Sequence, residues 1–351
     1  MQRRKFLLIS GSLGGFSLVA CAHQILQPVT SKNPPESPVK QAQKAKKVKI
    51  IVISDLNSQY GSTTYDPEID RAIPLIINHK PDLVLCGGDM VAGQKSSLTE
   101  AAINAMWSAF DRHIAAPLRA AKIPFGFTIG NHDASGALSA GKFIYAQERK
   151  LAQDYWQNPQ HHTSLNFIDK TGFPFYYTFT QNGIFYLVWD ASTHLISREQ
   201  LNRAAKNLSS TDAKNARMRL VIGHLPLYGI AVGRNRPGDY LADAEQLRAF
   251  LEGHQVHTYI SGHAHAYYPG KRGQLQLLHA GALGSGPRRL LNSEQAPRKT
   301  LTIVDINPHQ QETVYTTYDM KTQEAIDITS LPPLIMAPNG QVLRRDIPSV
   351  N

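Results

Sequence analysis

The sequence predicts an α/β protein, and three observations carry this prediction. Apolar, strand-like runs alternate with segments of helical spacing from Val48 to His265. The runs KIIVISD and DLVLCGGD are apolar almost throughout, which is typical of strands buried on both faces. With 351 residues, of which 42% are hydrophobic and 18% charged, the chain is long enough to bury one large core. We therefore expect one main domain, over residues 48–329, in which helices cover both sides of the strands.

Residues 1–22 predict an export signal. A basic start is followed by a short apolar stretch diluted with Gly and Ser, and this stretch is too short and too weak to span a membrane comfortably. The pair Arg3-Arg4, followed by KFL, resembles a twin-arginine signal. The run LVAC resembles a bacterial lipobox in which Cys21 is lipidated, and ordinary cleavage near Ala20 or Ala22 is the alternative. We expect an exported protein, periplasmic or held on a membrane surface by a lipid anchor at Cys21.

Residues 23–47 predict a disordered tether, because they are rich in Pro, Ser, Gln and Lys and almost lack large apolar side chains. Most of the formal net charge of +10 lies in this part of the chain. Residues 1–47 contain eight basic side chains against the single acidic Glu36, a balance of +7, which leaves +3 for the rest. The net charge of the folded part therefore does not favour binding to a polyanion. We expect no nucleic-acid partner.

The elements of the main domain follow in a regular order. The strand KIIVISD precedes a helix, DPEIDRAIPLIINHK, whose first turn is acidic, and the strand DLVLCGGD precedes an Ala-rich helix near residues 98–121. The next segments are the strand IPFGFTIGNHD, a helix near 141–157, the strands FYYTFT and IFYLVWD, a helix near 197–208, the strand RMRLVIGH, a helix near 239–252 and the strand HTYISGHAH. After Pro269 the pattern predicts strands only. The tail, residues 330–351, is Pro-rich, and we expect it to form an extension that loops over the surface.

Five of the predicted strands end in side chains that bind metal ions. These are Asp55, Asp89 in GGD, Asn131 with His132 in GNHD, His224 in GHLP, and His263 with His265 in GHAH. In open α/β sheets the carboxyl ends of the strands line the functional crevice, so residues far apart in sequence meet there. Glycines at 88, 130, 223 and 262 allow sharp turns before the ligands. One such motif alone predicts a turn or a structural histidine, whereas five in series predict a metal centre.

These ordered motifs resemble those of the calcineurin-like metallophosphoesterases over about residues 48–285. The resemblance implies a four-layer α/β/β/α sandwich with a dinuclear metal site at the strand ends. It also implies an enzyme that hydrolyses a phosphate mono- or diester of a small molecule with a metal-bridging hydroxide. The two metal ions are divalent or trivalent, and the sequence does not distinguish among Mn, Fe and Zn.

Carried over position by position, the resemblance implies a role for each motif residue. One metal ion would be bound by Asp55, Asp89 and His265, and the other by Asp89 as the bridge with Asn131, His224 and His263. His132 resembles the catalytic histidine of the family, which would stabilise the phosphoryl charge or protonate the leaving alkoxide. A packing role beside the ligands is the alternative for His132.

Asn57 is the one departure from the family pattern, which usually has a histidine two residues after the first aspartate. An amide oxygen binds borderline metal ions less tightly than an imidazole nitrogen does, so Asn57 as a ligand would weaken the first site or favour Mn²⁺ or Fe over Zn²⁺. The other interpretation is that Asn57 contacts no metal and that water completes the coordination shell.

Weaker candidates for substrate binding surround these motifs. Arg234 and Arg236 in GIAVGRNRPGD could bind a phosphate with their guanidinium groups, or could be solvated loop charges. Tyr267, beside Tyr268, could stack on an aromatic leaving group or could simply pack. His194 follows a predicted strand and fits no ligand position, so it remains a candidate substrate contact.

Two other functions compete with the phosphoesterase hypothesis. The first is a non-catalytic scaffold or binding protein, in which Asn57 has impaired one metal site. It is disfavoured because His132 and the other ligands are all present. The second is a nuclease, which predicts a basic groove. The balance of only +3 after residue 47 argues against it.

Overall fold

The computed structural model describes residues 47–57 and 59–348. The predicted export signal, the tether and Cys21 lie outside the described residues, so these remain predictions. In the part of the chain that is described, no helix is long and apolar enough to cross a membrane.

Strands and helices alternate through the first two thirds of the described chain, and strands with one short 3-10 turn, Ile328–Ser330, follow. The strands are β1 (Val48–Ile53), β2 (Leu83–Cys86), β3 (Phe125–Phe127), β4 (Leu138–Ser139), β5 (Lys142–Phe143), β6 (Asn166–Gly172), β7 (Tyr176–Gln181), β8 (Ile184–Val188), β9 (Met218–Ile222), β10 (Thr258–Ser261), β11 (Tyr268–Arg272), β12 (Leu275–His279), β13 (Thr300–Asn307), β14 (Glu312–Asp319), β15 (Glu324–Ala325), β16 (Leu334–Ala337) and β17 (Gly340–Arg344). The α-helices are α1 (Pro67–His79), α2 (Glu100–Phe110), α3 (Ala116–Ala120), α4 (Asn131–Ala134), α5 (Ala146–Gln157), α6 (Arg198–Leu208), α7 (Thr211–Asn215) and α8 (Ala244–Gly253).

The strands form two large sheets. A six-stranded sheet has the order β15-β14-β13-β1-β2-β3, in which β1, β2 and β3 are parallel. A nine-stranded sheet has the order β16-β17-β11-β12-β10-β9-β8-β7-β6, in which β12, β10, β9 and β8 are parallel. The parallel strands are apolar and buried, as the continuous apolar runs predicted.

The two sheets pack face to face. The ring of Phe179 on β7 covers Gly126 on β3, where an added Cβ would lie 3.1 Å from the ring. The hydroxyl of Tyr177 accepts a hydrogen bond of 2.9 Å from the backbone N–H of Phe127. Helices α6 and α8 contact β8 and β12 of the nine-stranded sheet, and α1 buries one apolar face. The predicted four-layer α/β/β/α sandwich is therefore confirmed.

The helix predicted near residues 98–121 is present but changes its winding. It begins after Thr99, whose side chain accepts a 3.2 Å hydrogen bond from the N–H of Ala102. A π-helical segment, Asp111–Ala115, joins α2 to α3. Pro117, in the first turn of α3, lacks the N–H that an uninterrupted α-helix would use, which accounts for a change of winding at this point.

The prediction that the tail loops over the surface is wrong for residues 334–344. These residues form the antiparallel hairpin β16–β17, and β17 pairs with β11, so the tail extends the nine-stranded sheet. Ile335 and Val342 are fully buried. The sequence carried a signal for this hairpin, because Asn339-Gly340 is a strong turn dipeptide between two alternating apolar segments.

Candidate metal centre

The carboxyl ends of β1, β2 and β3 in one sheet meet those of β9 and β10 in the other. Asp55, Asp89 and His224 each place one ligand atom within 4.8 Å of the others, and all three are buried. Hydrogen bonds join the two sheets here, since the backbone N–H of His263 donates to Asp55 Oδ1 at 3.1 Å. The structure thus brings side chains from five separate segments to one edge of the sandwich, as the strand-end motifs predicted.

One group of ligand atoms surrounds Asn131. Its Oδ1 lies 2.9 Å from His224 Nε2 and 2.9 Å from His263 Nδ1. Asp89 Oδ2 lies 3.3 Å from His224 Nε2. The other ring nitrogen of His224, Nδ1, donates to the carbonyl of Gly87 at 2.7 Å, so Nε2 is the nitrogen directed at the oxygens. Lone pairs of oxygen and nitrogen pointing at one another fit a cation between them.

The second group consists of Asp55, Asp89 and His265. His265 Nδ1 donates to the carbonyl of Gly286 at 2.8 Å, which leaves Nε2 as an acceptor. This Nε2 lies 3.2 Å from Asp55 Oδ1, yet it is buried without a hydrogen bond. His263 Nε2 is likewise buried without a hydrogen-bond partner among the described residues. Buried polar atoms left without partners are costly, so the residues present fit a site for cations.

Four of the candidate ligands adopt left-handed backbone conformations, with φ of 51° at Asp55, 53° at Asp89, 61° at His263 and 52° at His265. Such conformations cost of order 1–3 kcal/mol each when the residue is not glycine, and they cluster at functional sites. The surrounding structure must therefore hold these side chains in place.

Two positions beside the candidate ligands have no space for a side chain larger than that of glycine. A Cβ at Gly130 would overlap Asp89 Oδ1, and one at Gly88 would lie 2.7 Å from His224 Nδ1. Gly88 also has a φ of +97°. The small residues that precede the ligands in the sequence thus allow backbone and ligand side chains to approach closely.

The charged groups of the centre shift one another's pKa values. Burial raises the pKa of Asp89, but His224 and His132 outweigh this effect and hold the pKa well below its ordinary value. Burial lowers the pKa of His224, but Asp89 outweighs it and raises that pKa to about 9. Burial, together with His224, lowers the pKa of His263 well below its ordinary value. His224 would give up its Nε2 proton on binding a cation, because a histidine ligand must be neutral.

His132 lies beside the ligands rather than among them. Its backbone N–H donates to Asp89 Oδ1 at 2.8 Å, and its Nδ1 lies 3.4 Å from the carbonyl oxygen of Gly93. The ring packs against Tyr60 with a centroid distance of 5.2 Å. Its Nε2 makes no hydrogen bond with the described residues, which leaves that nitrogen for a substrate.

Asp133 joins the loops of two candidate ligands. Its carboxylate accepts three backbone hydrogen bonds, from Met90 at 2.7 Å, Val91 at 2.9 Å and Gly130 at 2.8 Å. Burial and Asp89 raise the pKa of Asp133 to about 7. Asp133 therefore fixes the loop of Asp89 relative to the loop of Asn131.

Glu148 on α5 was not recognised in the sequence, yet it supports two motif residues. Its buried carboxylate accepts hydrogen bonds from the backbone N–H groups of Gln94 at 2.8 Å and Lys95 at 3.2 Å. Gln94 Oε1 in turn accepts from Asn131 Nδ2 at 2.8 Å. The neighbouring carbonyl of Gly93 faces His132. No local pattern in the sequence reveals this role, because Glu148 lies 54 residues from Gln94.

We expect Glu148→Gln to lower kcat by about tenfold while metal binding is retained, because residues that orient ligands typically contribute 10–100-fold. The amide keeps one acceptor oxygen, so one of the two backbone hydrogen bonds to Gln94 and Lys95 is lost, at about 2 kcal/mol of stability. Steady-state kinetics, metal analysis and thermal unfolding measure these effects. Glu199→Gln, at an exposed position in the first turn of α6, is the matched control. An unchanged kcat would contradict the positioning role.

Asn57 is the predicted ligand whose side chain contacts the loop that follows it. Its Nδ2 donates to the carbonyls of Thr64 at 3.1 Å and Ser62 at 3.4 Å, and its Oδ1 accepts from the N–H of Gln59 at 3.3 Å. These contacts hold the loop of residues 59–64 against the strand end. These hydrogen bonds favour the interpretation in which Asn57 contacts no metal ion.

We expect Asn57→Ala to leave the metal content unchanged and to destabilise the protein by about 1–2 kcal/mol, because hydrogen bonds to the loop are lost. Asn57→His should likewise leave the metal affinity unchanged. Metal analysis of the purified variants and thermal unfolding test both statements. A loss of one metal ion from Asn57→Ala, or tighter binding by Asn57→His, would identify Asn57 as a ligand.

A cavity of about 280 Å³ opens beside the ligands. The candidate ligands Asn131 and His263 line it together with His132, and so do Arg234 and His194. The remaining lining is formed by Tyr60, Gln94, Ser135, Ala137, Ser192, Thr193, Leu225, Gly238 and Asp239. Its place next to the candidate ligands makes it the natural position for a substrate.

Not all predicted rim residues reach this cavity. Arg236 is exposed and does not line it. Tyr267 is buried and lines a separate cavity of about 30 Å³, and Tyr268 packs with its hydroxyl donating to the carbonyl of Pro332 at 2.9 Å. Of the predicted rim residues, the structure therefore brings Arg234 and His194 to the site.

Comparison with known protein families supports this picture. Residues 48–267 match the family of calcineurin-like phosphoesterases, which is more than half of the chain. No curated protein sequence matches the chain.

Solved structures with the same fold include a purple acid phosphatase from the seeds of yellow lupin (Lupinus luteus). It aligns over 81% of this chain and 53% of its own, with a TM-score of 0.59 and 15% sequence identity. The chain thus spans about half the length of the lupin enzyme. The anchor in the inner membrane complex of Plasmodium aligns over 80% of this chain and 87% of its own, with a TM-score of 0.51 and 13% identity. At these identities the likeness shows a shared fold, and the family match shows that the chain belongs to the calcineurin-like phosphoesterases, which are metal-dependent phosphoester hydrolases.

Proposed function

We propose that the protein hydrolyses the phosphate ester of a small molecule at a dinuclear metal centre. The observation that carries this proposal is the position of Asp89. Its carboxylate lies 3.3 Å from His224 Nε2 in the group around Asn131. It also places a ligand atom within 4.8 Å of one of Asp55, in the other group. A carboxylate with two oxygens and a full negative charge suits a position shared by two cations.

The two groups of ligands hold one cation each in this proposal. Asp55, Asp89 and His265 would bind the first, and Asp89, Asn131, His224 and His263 the second. Two bound cations supply an activated water and stabilise the charge of the phosphoryl group. The Mn, Fe and Zn ions remain alternatives, because carboxylate, amide and imidazole ligands suit all three.

Residues of the cavity act on the substrate. His132 presents Nε2, which protonates the leaving oxygen or stabilises the phosphoryl charge. Arg234 also lines the cavity, where its guanidinium group binds an anionic oxygen of the substrate. The arrangement does not decide between mono- and diesters, since both place a charged phosphoryl group next to His132.

Metal analysis and hydrolysis on the same preparation test the proposal. We expect about two metal ions per chain, and turnover of 4-nitrophenyl phosphate or of bis(4-nitrophenyl) phosphate that is lost with a chelator and restored by added metal. The ratio of the two rates distinguishes mono- from diesterase activity. One metal ion per chain without turnover of either ester would overturn the proposal and support the non-catalytic alternative.

A scaffold function is the second candidate, and the likeness to the Plasmodium anchor favours it. A scaffold, however, has no need of buried histidine nitrogens that lack hydrogen-bond partners among the described residues. It also has no need of four candidate ligands in left-handed conformations, which are unfavourable in free energy. A nuclease is disfavoured by the low net charge after residue 47, and we expect no salt-sensitive DNA binding.

We further propose that the enzyme acts outside the cytoplasm, held at a membrane surface through Cys21. The support for this is the leader sequence alone, with its Arg3-Arg4 pair and the LVAC run. Cell fractionation of the full chain and of Cys21→Ser tests it. We expect the wild type in the membrane fraction and Cys21→Ser released from it. Equal distribution of the two would contradict lipidation.

A further inference from the structure

Exposed apolar side chains are concentrated around the 280 Å³ cavity beside the candidate ligands. Among the described residues, nine large apolar side chains are exposed. Five of the nine lie in segments that line this cavity or border its lining residues: Tyr60, Leu138, Phe143, Ile144 and Leu195. Single exposed apolar residues are normal on a protein surface, whereas a group of them around one cavity indicates a binding surface.

The hairpin of β4 and β5 carries three of these side chains, and its base is fixed to the cavity. The backbone N–H of Gly136 donates to Ser192 Oγ at 2.8 Å. The N–H of Ile144 donates to the carbonyl of Ala137 at 2.9 Å. Ser192 and Ala137 both line the cavity. The hairpin therefore holds its apolar side chains next to the cavity.

A second cavity, of about 430 Å³, adjoins the first and is mostly apolar. Two segments, residues 192–196 and 238–247, contribute lining residues to both cavities. They are joined by a 2.8 Å hydrogen bond from the N–H of Ala242 to the carbonyl of His194. His194 lines the first cavity and its neighbour Leu195 the second, and both residues are exposed, so both cavities are open to solvent there. Six of the eight residues that line the second cavity are apolar: Leu195, Ile196, Leu201, Ala242, Leu247 and Phe250.

We propose that the substrate is amphipathic, a phosphate ester whose alkyl or acyl chain lies over Leu195 in the 430 Å³ cavity, called the apolar cavity below. This inference rests on the proposed hydrolysis of a phosphate ester and names its substrate class. The phosphoryl group, bound at the candidate metal ligands, places one end of the substrate in the first cavity. A chain that continues past His194 reaches apolar surface, and covering this surface is favourable. The concave shape suits a single chain better than it suits a flat membrane surface.

Two alkylphosphonates that differ only in chain length provide the test, because neither is hydrolysed. Octylphosphonate has six more methylene groups than ethylphosphonate, and both are used as monomers in solution without vesicles. Calorimetric titration of the metal-loaded wild type should give a Kd at least about tenfold lower for octylphosphonate. Each fully buried methylene contributes about fourfold, and an open cavity buries only part of the chain. A ratio of the two Kd values near one overturns the proposal.

Leu195→Gln should lower the preference for octylphosphonate about threefold or more, because it places an amide against the chain. Leu195 is 58% exposed, so the substitution leaves the core intact. Met336→Gln is the matched control, since Met336 is 53% exposed and lines neither cavity, and it should leave the ratio unchanged. A fall with Leu138→Gln but not with Leu195→Gln would place the chain on the hairpin and overturn the assignment to the apolar cavity. An equal fall with Met336→Gln would show that the chain binds without a specific site.

A membrane surface is the alternative occupant of these apolar residues. Cosedimentation of Cys21→Ser with vesicles of phosphatidylethanolamine and phosphatidylglycerol tests it, with and without Leu195→Gln. Vesicle binding that Leu195→Gln weakens, together with a Kd ratio near one, would assign the apolar residues to a membrane and overturn the proposed substrate class.

The apolar chain and the proposed function fail in different ways. Hydrolysis of 4-nitrophenyl phosphate and of bis(4-nitrophenyl) phosphate by the same preparation tests the function itself, whereas the preference for octylphosphonate is a binding measurement that does not depend on turnover. Turnover with a Kd ratio near one overturns the apolar chain alone. Absence of turnover together with absence of phosphonate binding overturns both.

Discussion

Replacing Asp89 with Asn is expected to abolish hydrolysis and to remove bound metal. The amide has no negative charge and only one oxygen, whereas Asp89 uses Oδ1 to accept from the His132 N–H at 2.8 Å and places Oδ2 3.3 Å from His224 Nε2. The loss in kcat/KM should exceed about a hundredfold, the upper end of what residues that only orient a ligand contribute. Metal analysis should give fewer than two ions per chain.

The backbone around position 89 should survive this substitution. The backbone carbonyl of Asp89 accepts from the N–H of Leu56 at 2.8 Å, a contact that Asn preserves. Asn also tolerates the left-handed conformation that Asp89 adopts. Asp212→Asn, at an exposed position in α7, controls for the change of charge alone. Wild-type turnover by Asp89→Asn with two bound ions would refute the shared role of this carboxylate.

The strand-end motifs were predictable because they depend on local sequence. An apolar run that ends in Gly and a ligand residue predicts a strand and a turn, and β1, β2, β3, β9 and β10 are all present where this pattern placed them. The pattern alone does not divide these strands between two sheets. The division depends on pairing between distant segments. For example, β13 pairs with β1 although more than 240 residues separate Ile51 from Ile303.

The residues that support the centre were not predictable for the same reason. Asp133 acts through backbone groups of Met90 and Val91, and Glu148 through those of Gln94 and Lys95. A hydrogen bond donated by a backbone N–H leaves no mark on the sequence of the donor residue, since every residue except proline has an N–H. These carboxylates hold the loops on which strained candidate ligands lie, so the sequence can indicate candidate ligands while the residues that support them remain unseen.

Asn57 illustrates the opposite limit. The family pattern made this position a candidate ligand, whereas the structure gives both its amide nitrogen and its amide oxygen contacts within the loop of residues 59–64. A side chain that satisfies its hydrogen bonds locally has less to gain from a cation than the buried nitrogens of His263 and His265, which have no hydrogen-bond partner. The hydrogen-bond partners of a side chain therefore indicate a metal ligand better than its position in a motif does.

His132→Ala is expected to lower kcat by about 10²–10⁴-fold without loss of metal, in the range of general acid catalysis. The separation of the two effects follows from the contacts of His132. Its link to Asp89 is made by the backbone N–H, which alanine keeps, whereas its side chain faces the cavity and the carbonyl of Gly93. Metal analysis and steady-state kinetics measure the two effects separately.

The leaving group decides between the two roles of His132. A proton donor matters most for a poor leaving group, so the loss in kcat should be much larger for an alkyl phosphate than for 4-nitrophenyl phosphate, whose phenolate departs without protonation. Equal losses for both esters indicate that His132 stabilises the phosphoryl charge instead. His161→Ala, outside the cavity, controls for loss of a histidine. Unchanged kinetics for both esters would show that His132 only packs beside the ligands, and loss of metal would show that its ring supports the centre itself.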